Sequence, residues 1–217
     1  MTIAQSLEYL RTKIGPKATL IAVSKTKPVE LLMEAYNANQ RHFGENKIQE
    51  MVQKYEVMPK DIHWHMIGHI QTNKIKYIAP FVRLVHGVDR PKVLAALNKE
   101  AAKVGRVIDC TLQVHIAQED TKFGFDMDEL AQIVETLGQY PNVRVRGLMG
   151  MATFTDDHAQ IREEFTALHS AFETYGPARG WEVLSMGMSG DYDIALECGA
   201  THVRIGSSIF GARDYSA

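Results

Sequence analysis

The stretch Leu20-Ile21-Ala22-Val23-Ser24-Lys25-Thr26-Lys27-Pro28 is the part of the sequence from which the fold can be worked out. It begins with four apolar residues, two of them β-branched, which is typical of a buried strand in a parallel sheet. The run ends abruptly at polar residues, and Pro28 favours the first turn of a helix. Lys25 is therefore predicted to lie where a strand ends and a loop towards a helix begins.

The rest of the chain repeats this alternation of strand and helix. Apolar runs predict eight strands, at 20–23, 42–45, 62–68, 82–88, 107–116, 143–149, 182–186 and 201–205. A segment with helical character follows each strand, with Asn46 and Asp89 as expected helix caps, and an amphipathic helix over 3–14 precedes the first strand. Strict alternation implies a parallel sheet, and eight units imply a closed barrel. We therefore expect an α/β fold, a (β/α)8 TIM barrel with an additional N-terminal helix, as a single domain over 1–217.

Composition and charge narrow the class of protein. The 217 residues, 45% of them hydrophobic, suffice for one sizeable core but not for two ordinary domains. Lys and Arg number 24 against 26 Asp and Glu, which argues against a nucleic-acid binder. No run approaches the ~18 apolar residues of a membrane span, and no secretory signal is recognisable. Cys110 and Cys198 lie far apart in apolar settings, as expected of free thiols in a cytoplasmic protein.

Two loops at the expected rim of the barrel suit an anion. Met188-Ser189-Gly190 follows strand seven, and Gly206-Ser207-Ser208 follows strand eight and opens a short helix. Loops at these positions often hold a phosphate through free backbone N–H groups. Glycine lets the backbone come close, and serine adds hydroxyl donors. Ordinary turn and cap chemistry is the alternative, but the occurrence of both loops on adjacent strands favours a phosphate site.

Two basic residues are placed at the same rim. A lysine close to apolar walls can lose its proton and act as a nucleophile, whereas a solvated loop lysine is the alternative for Lys25. Alternation in strand eight puts Val203 and Ile205 on one face and Arg204 on the other, which points into the barrel. A buried arginine stays charged and needs acceptors. Either a bound ligand or a carboxylate from a neighbouring strand can supply them.

Three histidines, His63, His65 and His69, lie at even offsets and would share one face of a strand. A metal site is one interpretation, but no cysteine or carboxylate cluster accompanies them. Packing, or contact of His65 with a ligand, is the favoured interpretation, and we expect no metal. The run Asp156-Asp157-His158 is better explained by helix capping.

Seven motifs, in the same order along the chain, resemble those of one protein family. They are 22–27 (AVSKTK), 43–46 (FGEN), 64–68 with 71–74 (WHMIG and QTNK), 122–125 (KFGF), 146–149 (RGLM), 186–191 (MGMSGD) and 203–213 (VRIGSSIFGAR). Because of these motifs, the chain resembles the pyridoxal phosphate homeostasis proteins from Leu20 to Tyr215. These are single-domain relatives of the alanine racemase barrel, the type III fold of pyridoxal-phosphate proteins.

This resemblance implies a cofactor and its site. Lys25 would carry pyridoxal 5′-phosphate (PLP) as a Schiff base, with Lys122 the next lysine to consider. Asn46 would lie near the ring hydroxyl, Arg204 would face the pyridine nitrogen, and His65 would line the pocket. The phosphate would be held by Ser189, Gly206 and Ser207. The resemblance assigns no catalytic residue.

The implied function is PLP homeostasis, by storage, buffering or delivery of the cofactor to apo-enzymes, with effects on amino-acid and keto-acid balance. An arginine beside the ring nitrogen keeps that nitrogen unprotonated, which weakens PLP as an electron sink. Alanine racemases add a C-terminal β domain that supplies a second base, whereas this sequence ends at Ala217, so little turnover is expected. By the same resemblance we expect a monomer. The alternatives are a PLP-dependent enzyme such as an amino-acid racemase, a barrel enzyme that binds a phosphorylated substrate through Lys25, and a scaffold.

Overall fold

The structure is a computed structural model, and it describes residues 1–119 and 123–211. Within those ranges eight parallel strands pair in sequence order, and the last strand pairs with the first to close the barrel. The predicted (β/α)8 TIM-barrel fold is therefore confirmed. The strands are β1 (Thr19–Val23), β2 (His42–Glu45), β3 (His63–Met66), β4 (Leu84–Val88), β5 (Ile108–Gln113), β6 (Val143–Met149), β7 (Val183–Met188) and β8 (His202–Ile205).

A helix follows each strand, and a further helix precedes the barrel, as the sequence predicts. The helices are α1 (Ile3–Ile14), α2 (Val29–Asn37), α3 (Ile48–Val57), α4 (Ile75–Ile78), α5 (Pro91–Lys103), α6 (Met127–Glu135), α7 (His158–Tyr175), α8 (Tyr192–Glu197) and α9 (Ser207–Phe210). Short 3-10 turns lie at Gly15–Lys17, Thr72–Lys74, Leu137–Gln139 and Pro177–Arg179. No helix in the described ranges is long and apolar enough to cross a membrane.

The apolar core joins the strands to the surrounding helices. Phe43 of β2 and Trp64 of β3 are fully buried with ring centroids 6.0 Å apart, and Leu32 of α2 belongs to the same cluster. Burial of each such side chain stabilises the fold by roughly 1.5–3 kcal/mol. The interior of the barrel differs from the usual filling of branched aliphatic side chains. It holds buried polar residues, among them His65 and Arg204. Polar groups therefore lie beneath the rim of the barrel.

Two predicted helix caps are wrong. Helix α3 begins after Lys47, because the chain is still extended there, and Asn46 makes no cap. Helix α5 begins after Arg90, with Pro91 as its first residue, where the missing N–H of proline costs nothing. Asp89 instead accepts hydrogen bonds from Arg90 and from the ring of His69, with a distance of 2.8 Å to His69 Nδ1. Asn46 and Asp89 are thus both left at the rim.

The predicted cap at the start of α7 is confirmed, and α6 has a further cap. Asp126 and Glu129 form a reciprocal capping box at the start of α6. Asp157 accepts hydrogen bonds from the backbone N–H groups of Ala159 and Gln160 at the start of α7. These caps could be predicted because they depend only on residues close in sequence.

Candidate functional site

A cavity of about 580 Å³ lies at the C-terminal end of the barrel strands. Because the barrel is closed, it brings together loops that are distant in sequence. Six of the seven predicted binding residues line this cavity: Lys25, Asn46, Ser189, Arg204, Gly206 and Ser207. They follow or belong to β1, β2, β7 and β8, of which β1 is paired with both β2 and β8.

Lys25 lies two residues beyond β1, as the sequence predicts. Its side chain is half-buried in the cavity wall, beside the partly apolar surface of Val23 and Ile67. The side chain of Lys25 is therefore one of the groups that a ligand in the cavity would meet. Lys122, the other lysine considered, lies outside the described residues.

The loops after β7 and β8 contact one another. The backbone N–H of Gly206 donates to Ser189 Oγ at 3.2 Å. A Cβ atom at position 206 would lie 3.1 Å from the carbonyl oxygen of Val23, so glycine lets this loop pack closely on β1. Ser207 is exposed at the first turn of α9 and lines the cavity. The hydroxyl groups of Ser189 and Ser207 thus line the same cavity on two loops that contact one another, where an anion can accept hydrogen bonds from them.

Arg204 is 3% exposed and lines the cavity. Its Nη1 donates to Ser185 Oγ at 2.6 Å, and its Nη2 donates to the carbonyl oxygen of Gly150 at 3.0 Å. Both acceptors are neutral, although a carboxylate was equally possible from the sequence. Burial lowers the pKa of Arg204 to about 10, and the charge of Asp191 opposes that shift, so the guanidinium stays charged near neutral pH. A buried cation held by neutral partners favours a ligand that brings acceptors.

Asn46 gives a second indication that the cavity binds a ligand. Its Oδ1 is buried and has no hydrogen-bond partner among the residues that the structure describes. Buried polar atoms are almost always paired, so a donor from a bound molecule is the natural partner. Asn46 and Arg204 both line the cavity, and together with the loops around Ser189 and Ser207 they fit a phosphorylated ring with polar substituents.

His65 does not belong with the other predicted residues, and its expected place in the pocket lining needs correction. It is absent from the described lining of the cavity and is buried in the barrel interior. The His65 Nε2 lies 2.9 Å from His42 Nδ1, and its Nδ1 lies 2.9 Å from His86 Nε2. His63 Nδ1 lies 3.3 Å from His42 Nε2, at the N-terminal end of the strands. These four residues are termed the histidine column.

The histidine column ends beneath Arg204. His86 Nδ1 is 2.9 Å from Ser185 Oγ, the same oxygen that accepts from Arg204. A guanidinium can only donate, so Ser185 Oγ accepts a hydrogen bond from Arg204 and its hydroxyl can donate one to His86 Nδ1. If each ring then donates to the next, the hydrogen bonds of the column run in one direction. The column therefore holds Arg204 through Ser185, from the opposite end of the barrel.

The column imidazoles are neutral near pH 7. Burial lowers the pKa of His42 to about 4 and lowers the pKa values of His65 and His86 well below the usual range. Their ring nitrogens point at one another rather than at a common centre. In the described part of the chain, no group of His, Cys, Asp or Glu is arranged to hold a metal ion. His69 is separate from the column and pairs with Asp89 at the rim.

Several residues that shape the site are not recognisable from single motifs. Ser185 and His86 look like ordinary positions in predicted strands. Lys54 is 5% exposed on α3, where it shares the buried face with Ile48 and Met51 at spacings of three. That spacing is a usable signal, because a lysine on an apolar helix face needs a buried partner.

Comparison with known proteins identifies the family to which this barrel belongs. The family model described as alanine racemase, N-terminal domain, matches residues 2–214. The pyridoxal phosphate homeostasis protein of Pasteurella multocida is 38% identical over the full length of both chains. That of Vibrio alginolyticus is 40% identical and covers 99% of this chain and 96% of its own. The chain belongs to the pyridoxal phosphate homeostasis protein family.

Solved structures agree with this family membership. PipY of Synechococcus elongatus with PLP bound superimposes with a TM-score of 0.89 at 34% identity, covering 97% of this chain and all of PipY. Alanine racemase from Bartonella henselae has a TM-score of 0.77 at 14% identity, and the match covers 99% of this chain and 60% of the racemase. The racemase therefore shares the barrel fold with this homeostasis-family chain.

Because the rings of the histidine column are neutral in the folded protein, we expect the free energy of unfolding to decrease as the pH falls below about 6.5. Histidines in an unfolded chain titrate near pH 6.5, so they take up protons that the buried neutral rings do not. For each fully buried ring the free energy of unfolding then decreases by up to about 1.4 kcal/mol per pH unit. Burial raises the pKa of Glu45 from 4.5 to about 7. This shift by itself makes the protein more stable as the pH falls from about 7 to 4.5. Glu45 is a single group, however, whereas the buried histidines are several.

Urea unfolding at pH 7.5 and pH 5.5 measures this effect. We expect a lower midpoint at pH 5.5 for the wild type. The variant His86→Gln keeps a donor and an acceptor but removes one buried titratable ring, so its midpoint should change less between the two pH values. An equal change in both proteins would contradict the assignment of this pH dependence to the column.

Proposed function

We propose that this protein binds PLP in the rim cavity, with Lys25 as its point of covalent attachment, and acts in PLP homeostasis. The observation that carries the proposal is the meeting of three features in one cavity. They are a strand-end lysine, two neighbouring loops with serine and glycine that suit an anion, and a buried arginine whose hydrogen-bond acceptors among the described residues are neutral. The names of the relatives and the PLP-bound structure of PipY support it.

The residues of this chain would bind and orient the cofactor. Ser189, Gly206 and Ser207 would hold the phosphate, while Asn46 and Arg204 would meet the polar groups of the ring. When bound, PLP supplies an aldehyde that condenses with a primary amine and a ring that withdraws electrons. Arg204 keeps its proton near neutral pH, so it donates hydrogen bonds to the ligand without transferring a proton to it. Such a site favours retention of the cofactor over turnover.

Borohydride reduction followed by peptide mapping tests the attachment. After incubation with PLP and reduction, the wild type should carry a pyridoxyl group on Lys25. The variant Lys25→Ala should lose this label and the visible absorption of the bound cofactor. Lys99→Ala, which removes an exposed lysine of α5, is the matched control and should be labelled like the wild type.

Two results would overturn this proposal. The first is a wild type that stays colourless or carries its label on another lysine, such as Lys122. The second is robust interconversion of amino-acid enantiomers in a chiral assay over the common amino acids, which would indicate a racemase.

The loops around Ser189 and Ser207 predict a preference for the phosphorylated cofactor. Loss of one hydrogen bond to a charged group costs about 1.5–3 kcal/mol, so Ser207→Ala should weaken PLP binding by roughly ten-fold or more. Binding of pyridoxal, which lacks the phosphate, should change little. Titrations of both compounds, followed by absorbance, measure the two affinities. Equal weakening for both compounds would place the phosphate elsewhere.

We also propose that the protein acts as a monomer in the cytoplasm and delivers PLP to apo-enzymes. The free thiols of Cys110 and Cys198 fit a reducing compartment. The exposed Phe154 lies at the edge of the cavity, which therefore reaches the surface. We expect the loaded protein to restore the activity of a PLP-dependent apo-enzyme even when a scavenger removes free PLP. Recovery only in the absence of the scavenger would indicate release into solution rather than delivery.

A further inference from the structure

A buried network of charged groups lies directly behind Lys25. Its centre is Lys54 of α3, whose Nζ donates to Glu45 Oε1 and to Glu50 Oε1, each at 2.7 Å. The same ammonium group donates to the carbonyl oxygen of Ser24 at 2.8 Å. One buried cation therefore joins two carboxylates to the backbone immediately before Lys25.

The network bonds to the chain on both sides of Lys25. On one side, Ser24 Oγ donates to Glu45 Oε1 at 2.6 Å. On the other side, the backbone N–H of Thr26 donates to Glu50 Oε1 at 2.6 Å. Glu45 lies at the end of β2 and Glu50 in α3, so two separate elements hold the short segment that carries the lysine.

The backbone of this segment needs such support. Thr26 has a φ of 63°, in the left-handed region that residues other than glycine rarely adopt. Unfavourable backbone conformations persist where the surroundings impose them, and they concentrate at functional positions. The bond from Glu50 acts on the peptide that joins Lys25 to Thr26. It therefore stabilises this turn and, with it, the direction in which Lys25 leaves the strand.

Stability alone is a poor explanation for this network. Burial of charges is costly, and well-packed apolar residues often replace a buried ion pair without loss of stability. Burial raises the pKa of Glu45 to about 7, and its Oε2 has no hydrogen-bond partner among the described residues. The network thus contains an unfavourable carboxylate, yet its hydrogen bonds converge on the neighbours of Lys25.

We propose that Glu45, Glu50 and Lys54 are positioning residues that direct the amine of Lys25 towards the cofactor aldehyde. This inference rests on the proposed attachment of PLP to Lys25. None of the three residues occurs in the described lining of the cavity, so they act through the backbone of Ser24 and Thr26.

Two variants of Glu50 test the inference while leaving Glu45 and Lys54 in place. Glu50→Ala removes the acceptor for the Thr26 N–H and should slow the appearance of the bound-cofactor absorbance at least ten-fold. Glu50→Gln keeps an acceptor oxygen and should restore the rate to within about two-fold of the wild type. Glu100→Ala is the matched control, because Glu100 pairs with Lys103 within one helix and its side-chain exposure, 15% against 21%, is similar. It should react like the wild type.

The measurement combines the rate of cofactor uptake, the site of the reduced label and the midpoint of urea unfolding. Uptake by Glu50→Ala at the wild-type rate would overturn the positioning role, whether or not the unfolding midpoint changes. Equally slow uptake by Glu50→Ala and Glu50→Gln would also overturn it, since charge rather than the Thr26 hydrogen bond would then be responsible. A wild type without label on Lys25 would instead refute the proposed function. Lys54→Met is a less informative variant, because it leaves two carboxylates without their cation.

Discussion

The hydrogen bond from Arg204 to Ser185 is the interaction on which the rest of the site depends. It keeps a guanidinium 3% exposed in the barrel interior, where its hydrogen-bond acceptors among the described residues are a hydroxyl and a backbone carbonyl. A charge in this setting is costly unless acceptors surround it, so the protein supplies a hydroxyl, a carbonyl and, behind them, the histidine column. The positive charge of Arg204 therefore stays available to a ligand in the cavity. Ser185 and the histidine column, which are part of the polar interior of this barrel, thus support Arg204 beneath the rim.

Two polar networks support the rim from within the fold. The histidine column reaches Arg204 from the N-terminal end of the barrel, and the network around Lys54 reaches Lys25 from the side of α3. The first contains neutral rings near pH 7, whereas the second contains ions. In both cases the groups in contact with the cavity are few, and a larger number of buried groups determines where they point. Substitutions away from the cavity are therefore expected to affect cofactor binding.

Sequence patterns predicted most of the architecture but less of the detail at the strand ends. The cap at the start of α7 was predicted correctly, because capping by Asp157 is a local feature. Asn46 was expected to cap α3, and its chemistry as a cap was sound. It failed because the chain stays extended through Lys47, which leaves the amide at the cavity. The family resemblance implied that His65 lines the pocket, and strand parity shows only which face of the strand it shares. Whether such a side chain reaches the rim depends on strand register, in which His65 is level with Gly44 of β2 and Leu84 of β4. Its ring therefore meets His42 and His86 instead.

The sequence by itself determined the alternation of strands and helices, the strand-end position of Lys25, the two loops with serine and glycine after β7 and β8, and the inward direction of Arg204. These follow from hydrophobic periodicity, strand parity and the conformational preferences of glycine and proline, which act over a few residues. Only the tertiary structure decided which polar groups meet. The pairing of Arg204 with Ser185, the hydrogen bonding of the histidine column and the ion pairs of Lys54 with Glu45 and Glu50 depend on barrel closure and strand register. Barrel closure and strand register are set by the packing of the whole chain. A hydrogen bond between buried groups forms only where that packing brings both partners together.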